Sequence, residues 1–134
     1  MRRISESGRD QGPLVLVADD GEVSRVVVEA LLVQRGLRTE FAPDGLLAWR
    51  MAVNKAYAVI LMDCQMPQLD GWEATRRIRA AEITFHVPII AMTALRGYGS
   101  REQCLEAGMD DYLAKPVRGV QLDAAIERWL TADG

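Results

Sequence analysis

Three short apolar runs constrain this chain more than any other feature. Residues 14–18, 58–62 and 87–92 are almost continuously apolar, have strand length and are rich in Val and Ile. A strand with one wet face alternates apolar and polar residues. Strands as uniform as these are covered on both faces, the condition of a parallel sheet held between two layers of helices. Two weaker runs, residues 38–42 and 111–114, bring the set to five.

Segments with a period near 3.6 separate the runs. Val23, Val26, Val27, Ala30 and Leu31 mark the expected inward face of a helix over residues 22–35, which Gly36 stops. A second helix is expected over residues 45–54 with Asp44 as its N-cap. A third begins at Gly71 behind an Asp70 cap and turns Thr75 and Ile78 inward. A fourth starts near Ser100 and ends at Gly108. The last covers residues 119–131, with Leu122, Ala125, Ile126 and Trp129 on its buried stripe. Five strands alternating with five helices make a doubly wound (βα)5 α/β sandwich, a five-stranded parallel sheet flanked by five helices. At 134 residues this is one domain, expected over residues 13–131. A polar leader or linker precedes it (residues 1–12, expected disordered), and a tail of residues 132–134 follows.

Composition narrows the class. Apolar residues make up 49% and charged residues 26%, as in an ordinary globular chain. Sixteen basic residues against nineteen acidic give −3, the wrong sign for a module that grips nucleic acid through its phosphates. No apolar run approaches the roughly 18–20 residues of a membrane span, and the N-terminus lacks the apolar stretch of a signal peptide. A cytoplasmic location without direct membrane contact is therefore expected. Cys64 and Cys104 have neither CxxC spacing nor a His at zinc-ligand distance, and are read as free thiols in a reducing compartment.

The reactive side chains fall at the strand ends. Asp19 and Asp20 follow the first run, Asp63 the third, Thr93 the fourth and Lys115 the fifth. In an open parallel sheet these positions share the carboxyl edge, where ligands bind. Two unit charges about 4 Å apart cost roughly 4 kcal/mol at an effective dielectric of about 20, so three carboxylates there need more positive charge than Lys115 provides. Oxygen donors with room for water suit a hard cation, and Mg2+ is the usual partner of phosphate chemistry. An Asp carboxylate beside Mg2+ can attack a phosphoryl group and become an aspartyl phosphate, leaving Thr93 and Lys115 to bind the remaining oxygens. Taken singly, Asp-Asp after a strand is more often a turn and cap, and Lys-Pro more often a loop. Their joint occurrence at four strand ends is hard to obtain from capping preferences.

VLVADD, VILMDCQMPQLDG, the IIAMTA run and AGMDDYLAKP, taken in that order, resemble the receiver domains of two-component response regulators. The wording around Asp63 and in AGMDDYLAKP looks most like receivers attached to hybrid histidine kinases. The resemblance covers Leu14 to Leu130 and implies the flavodoxin-like strand order 2-1-3-4-5 and a phosphoacceptor domain rather than an enzyme acting on a separate substrate. It implies that Asp63 accepts the phosphoryl group. Asp20, Asp63 and the backbone carbonyl of Gln65 would hold Mg2+, with Asp19 acting through water. Thr93 would be the switch hydroxyl, Lys115 the phosphoryl partner, Tyr112 the switch aromatic, and Pro116 the second residue of a cis bond. Pro67 and Gly71 would shape the loop after Asp63. The implied partner is a sensor histidine kinase or a histidine phosphotransfer domain, with the receiver a monomer or weak dimer and tethered to a membrane only through a parent kinase. Gly21 stands where many such receivers have Asn, which puts the first helix's capping in question. Gln65 and Leu95 offer no base to an attacking water, so slow self-dephosphorylation is expected. The loop Arg96 to Gly99 holds two glycines and is the expected flexible segment.

Two other functions use similar parts. A Mg2+-dependent phosphohydrolase is disfavoured because so short a chain leaves no cap domain and no second carboxylate follows two residues after Asp63. A pseudo-receiver that binds a partner without phosphorylation is disfavoured by the presence of all five key residues. His86, at a strand entrance opposite the ligand edge, is expected to be a surface residue. Cys64 is expected to point away from Asp63 into packing. Trp72 is the aromatic most suited to partial exposure.

Overall fold

A computed structural model describes residues 12–82, 85–94 and 100–131. Five strands, β1 (Leu14–Ala18), β2 (Arg38–Ala42), β3 (Val59–Asp63), β4 (Ile89–Thr93) and β5 (Asp111–Ala114), alternate with five helices. These are α1 (Glu22–Gln34), α2 (Gly45–Asn54), α3 (Gly71–Ala81), α4 (Ser100–Ala107) and α5 (Gly119–Thr131). All neighbouring strands are parallel, in the order β2-β1-β3-β4-β5. The leader up to Gln11, Leu95, the Arg96–Gly99 loop and the tail lie outside the described residues. Gly12 is within them, and its carbonyl accepts from Arg38 Nε at 2.8 Å.

Alternation along the central strands sorts side chains into two cores. Leu16, Ala18, Ile60, Met62, Ile89 and Ala91 pack with Ala48 of α2, Ala74 and Ile78 of α3, and Cys104 of α4. Val15, Val17, Val59, Leu61, Ile90 and Met92 pack on the other face with Val28 and Leu32 of α1 and with Leu122, Ala125 and Ile126 of α5. Burial on both faces is why β1, β3 and β4 lack a polar alternation.

Asp44 and Asp70 cap α2 and α3 as their positions require, accepting from Leu47 N and Glu73 N at 2.8 Å. Gly21 caps α1 without a side-chain bond. The expected inward stripe of α1 is wrong. Val23, Val26, Val27 and Ala30 face outward, Leu31 is half-buried, and Val28 and Leu32 carry the core contact. Eight of the eleven residues from Val23 to Val33 are apolar, so hydrophobicity alone does not phase this helix. The ends of the third and fourth strands also move: Asp63 and Thr93 are the final residues of β3 and β4 rather than the first residues beyond them.

At the opposite edge of the sheet, Arg79 of α3 ties the bottom of the fold together. Its guanidinium donates to the carbonyls of Gly108 and Val87 at 2.8 and 2.7 Å, and to Glu82 and Asp110 at 2.6 and 2.7 Å. Asp110 in turn accepts from Ile89 N at 2.8 Å. His86 is exposed, as expected, and its Nε2 lies 2.8 Å from Asp110. Removing the cation leaves two carboxylates and two carbonyls poorly paired at a site that is largely buried. Arg79→Met is therefore expected to lower unfolding free energy by about 2–4 kcal/mol in urea titration, with the secondary structure unchanged by circular dichroism.

Candidate functional site

The carboxyl edge gathers the residues that the sequence places at strand ends. Asp19 follows β1 directly and is fully buried, Asp63 is 5% exposed, and Asp20 faces solvent. One carboxylate oxygen from each of Asp19, Asp20 and Asp63 lies within 4.8 Å of the others. Lys115 reaches this cluster from the end of β5, its Nζ 3.0 Å from Asp19 Oδ2 and 3.0 Å from Asp63 Oδ2. The Lys115 amide donates to Thr93 O at 2.9 Å, which fixes the chain from which that side chain extends. The Lys115–Pro116 bond is cis, as expected.

Asp19 owes its position to α1. It accepts from Gly21 N at 2.8 Å and from Ser24 Oγ at 2.7 Å, so Asp19 anchors the helix start where Gly21 has no side chain to do so. Ser24 escaped the sequence reading. With α1 correctly phased, Ser24 stands one turn before Val28 on the inward face, and that spacing was the available signal. Gly71 matters for a different reason. A Cβ there would overlap the carbonyl oxygen of Asp63, and the Gly71 amide donates to Cys64 O at 2.9 Å. The loop after β3 thus folds tightly against the strand end, with Gln68 at a φ of 72°.

The two buried carboxylates differ in their electrostatics. Burial disfavours the Asp19 anion, but the Ser24 hydroxyl, the Gly21 amide and Lys115 outweigh it and hold its pKa below the ordinary value. Burial pushes the Asp63 pKa up, and the negative charge of Asp19 adds to that. Lys115 and the Gln65 amide, 3.3 Å from Asp63 Oδ1, offset only part of the rise. Burial works against the Lys115 ammonium, yet its two carboxylate partners raise its pKa. Three hard oxygen ligands, one surplus negative charge and an exposed Asp20 at the mouth suit a divalent cation of the Mg2+ class.

The other residues that the sequence marks divide between this edge and the rest of the fold. Thr93 is 2% exposed, with its hydroxyl reaching the Cys64 sulfur. Tyr112 is half-buried against the core beneath α4. Gln65 is exposed beside Asp63. Cys64 turns to the opposite face from Asp63 and is fully buried, as alternation requires. Trp72 and Trp129 are both half-buried, and Trp129 Nε1 donates to Asp111 at 2.9 Å. Beside Lys115 an apolar groove of about 480 Å3 is lined by Val23, Val27, Val28, Pro116 and Val117.

The pKa directions set a sign. Folding raises the Asp63 pKa, so its contribution favours the fold at low pH and is lost as pH rises through the folded value. At neutral pH without divalent cations, Asp63→Asn is expected to stabilise the fold by about 1–2 kcal/mol. Thermal melts should show that gain shrink as the solution is acidified; an unchanged or lower melting temperature at neutral pH would contradict it.

Comparison with known proteins adds to this geometry. The response regulator receiver domain family matches residues 15–127. The chain is 39% identical over 120 residues to the hybrid signal transduction protein dokA of Dictyostelium discoideum, covering 89% of this chain and 7% of that protein. It is 38% identical over 112 residues to the response regulator PleD of Caulobacter vibrioides, covering 84% of this chain and 25% of the relative. Among solved structures, the receiver domain of the sensor histidine kinase PA1611 of Pseudomonas aeruginosa is 47% identical, with a TM-score of 0.83 over 90% of this chain and 98% of that one. That structure holds a magnesium ion coordinated in its active-site cleft. The receiver domain of the Saccharomyces cerevisiae response regulator Ssk1, in complex with the histidine phosphotransfer protein Ypd1, is similar at 26% identity and a TM-score of 0.83, with 91% of each chain covered. This chain therefore belongs to the response regulator receiver domain family, the regulatory domain of two-component signalling.

Proposed function

We propose that Asp63 accepts a phosphoryl group from a phosphohistidine on a sensor histidine kinase or histidine phosphotransfer domain, and that Thr93 and Tyr112 carry the change to the surface. The observation that carries this reading is Lys115 Nζ at 3.0 Å from both Asp19 and Asp63, with Asp20 at the mouth of the same cluster. Bound Mg2+ supplies the positive charge that lets an anionic phosphoryl group approach a carboxylate. Asp20, Asp63 and the Gln65 carbonyl would hold it, with Asp19 acting through water. The magnesium ion in the active-site cleft of the Pseudomonas aeruginosa receiver supports a Mg2+ site at this edge.

An Asp63 oxygen attacks phosphorus as the phosphorus–nitrogen bond of the donor breaks and imidazole leaves. Lys115 then exchanges its Asp63 contact for a phosphoryl oxygen. The new group adds roughly −1.5 to −2 charge and strong acceptor oxygens. Thr93 moves its hydroxyl toward those oxygens, and Tyr112 turns further inward to fill the space left. The output surface is α4, β5 and α5.

The partner surface follows from α1. Val23 is 79% exposed, Val26 59% and Val27 45%, an apolar face that continues through the groove to Pro116 and Val117 beside Lys115. A face of this kind marks a protein-docking site. A histidine phosphotransfer domain seated there would bring its histidine to the mouth of the site and exclude water from the transfer. The complex of the yeast receiver with Ypd1 supports a partner of that class.

Intact mass after incubation with acetyl phosphate and Mg2+ tests the first step. The expected result is one added phosphoryl group that requires the cation, is absent in Asp63→Ala, and persists for minutes after the donor is removed. Absence of both the adduct and released phosphate would overturn the phosphoacceptor reading. The docking face is tested separately: Val27→Asp should slow transfer from a phosphorylated histidine phosphotransfer protein by about tenfold or more, while acetyl phosphate still labels Asp63 at the normal rate.

A further inference from the structure

The two cysteines lie 40 positions apart in sequence, yet their sulfurs are 3.6 Å apart. Cys64 immediately follows the last residue of β3, and Cys104 sits midway along α4. Both are free and almost fully buried in the same core. A disulfide needs a sulfur separation of about 2.05 Å, so the pair must close by roughly 1.5 Å. Small rotations of two unbranched side chains and a slight settling of an eight-residue helix cover that distance.

A second observation concerns the surroundings of Cys104. The indole Nε1–H of Trp72, on the first turn of α3, is buried without a hydrogen-bond partner of good geometry. It lies against the Cys104 sulfur. A buried donor without an acceptor is costly, and a sulfur anion beside it would satisfy it. The Cys64 thiol, which hydrogen-bonds to Cys104, and the Trp72 donor together draw the Cys104 pKa down to about 7, against the opposing effect of burial. The thiolate is the form that reacts with oxidants. None of this is used in accepting a phosphoryl group.

We propose that Cys64 and Cys104 are a redox-modifiable pair that closes into an intramolecular disulfide under oxidants of the hydrogen peroxide class. The Cys104 sulfur attacks one peroxide oxygen, the O–O bond breaks, and water leaves as Cys104 becomes a sulfenic acid. The Cys64 sulfur then attacks the Cys104 sulfur and loses its proton, and a second water leaves. The two thiols lose two electrons and two protons, and one peroxide is reduced to two waters. Burial selects the oxidant: a molecule near the size of water reaches Cys104 through brief local opening of α4, whereas a bulky disulfide does not. The bond ties α4 to the residue beside Asp63 and removes the thiol that the Thr93 hydroxyl contacts. Phosphorylation and oxidation thus converge on one end of the sheet through different side chains.

The test uses the full chain. It is reduced, freed of reductant, exposed to a small excess of hydrogen peroxide, then alkylated in denaturant and analysed by intact mass and peptide mapping. The expected result is a loss of about 2 Da with neither cysteine alkylated, a Cys64–Cys104 linked peptide, and recovery of both thiols with a dithiol reductant. Cys64→Ser and Cys104→Ser should each abolish the loss. The proposal is overturned if both cysteines of the wild-type chain remain alkylatable. It is equally overturned if one gains oxygen without cross-linking, or if the cross-link joins two chains. No outcome depends on whether Asp63 accepts a phosphoryl group.

Discussion

One ammonium group between two buried carboxylates sets the terms for the rest of this molecule. Lys115 Nζ stands 3.0 Å from Asp19 and 3.0 Å from Asp63, and each of the three groups is supplied by a different strand end. The contact is possible only because β1, β3 and β5 run parallel and finish at the same edge. Neutrality is incomplete, since two buried carboxylates and the exposed Asp20 face a single lysine. The folded site is therefore held in a state that a divalent cation or a rearranged lysine improves. A fully compensated cluster would be more stable and less responsive.

The division of labour between Asp19 and Asp63 follows from their neighbours rather than from their chemistry. Asp19 spends both oxygens on protein donors, the Gly21 amide, the Ser24 hydroxyl and Lys115. It is a fixed charge and also the anchor of α1. Among the described residues, Asp63 has Lys115 and a long contact from the Gln65 amide. That leaves it the less satisfied of the two, and the one whose folded pKa rises. The loop that follows keeps it so. With Gly71 packed against the Asp63 main-chain carbonyl, the loop turns tightly at the strand end, and Gln65 brings only its amide to the carboxylate.

Much of this was legible in the sequence, for an identifiable reason. Continuous apolar runs specify strands buried on both faces, and polar residues at their ends then share one edge by geometry alone, so the sequence itself puts Asp19, Asp20, Asp63, Thr93 and Lys115 at that edge. The caps Asp44 and Asp70 were equally plain, because capping is local. What failed was the phase of α1, where Val and Leu occur on every side and only contact with β1 and β3 decides which residues turn in. The error hid two features at once: Ser24 beneath Asp19, and an outward valine face beside the site. The Arg79 network and the Cys64–Cys104 contact escaped for a different reason. Apart from the local Arg79–Glu82 pair, each contact joins residues 29 or more positions apart or runs to a backbone carbonyl, and no local pattern encodes such pairings.

The period of two along β3 also explains how one short segment serves both cores. Asp63 points to the face shared by α1 and α5, where Lys115 and Asp19 wait, while Cys64 points to the face covered by α3 and α4. Thr93, at the end of the neighbouring strand, touches the Cys64 sulfur, and the Lys115 amide bonds to the Thr93 carbonyl. On the proposed reading, a change in charge at Asp63 would pass to α4 along the sheet edge rather than through the sheet itself. No side chain has to pass through the packed centre. The residues such a path would use stand at the strand ends, and the bulk of the two cores lies below them. That separation lets a domain this small combine a rigid interior with a responsive surface.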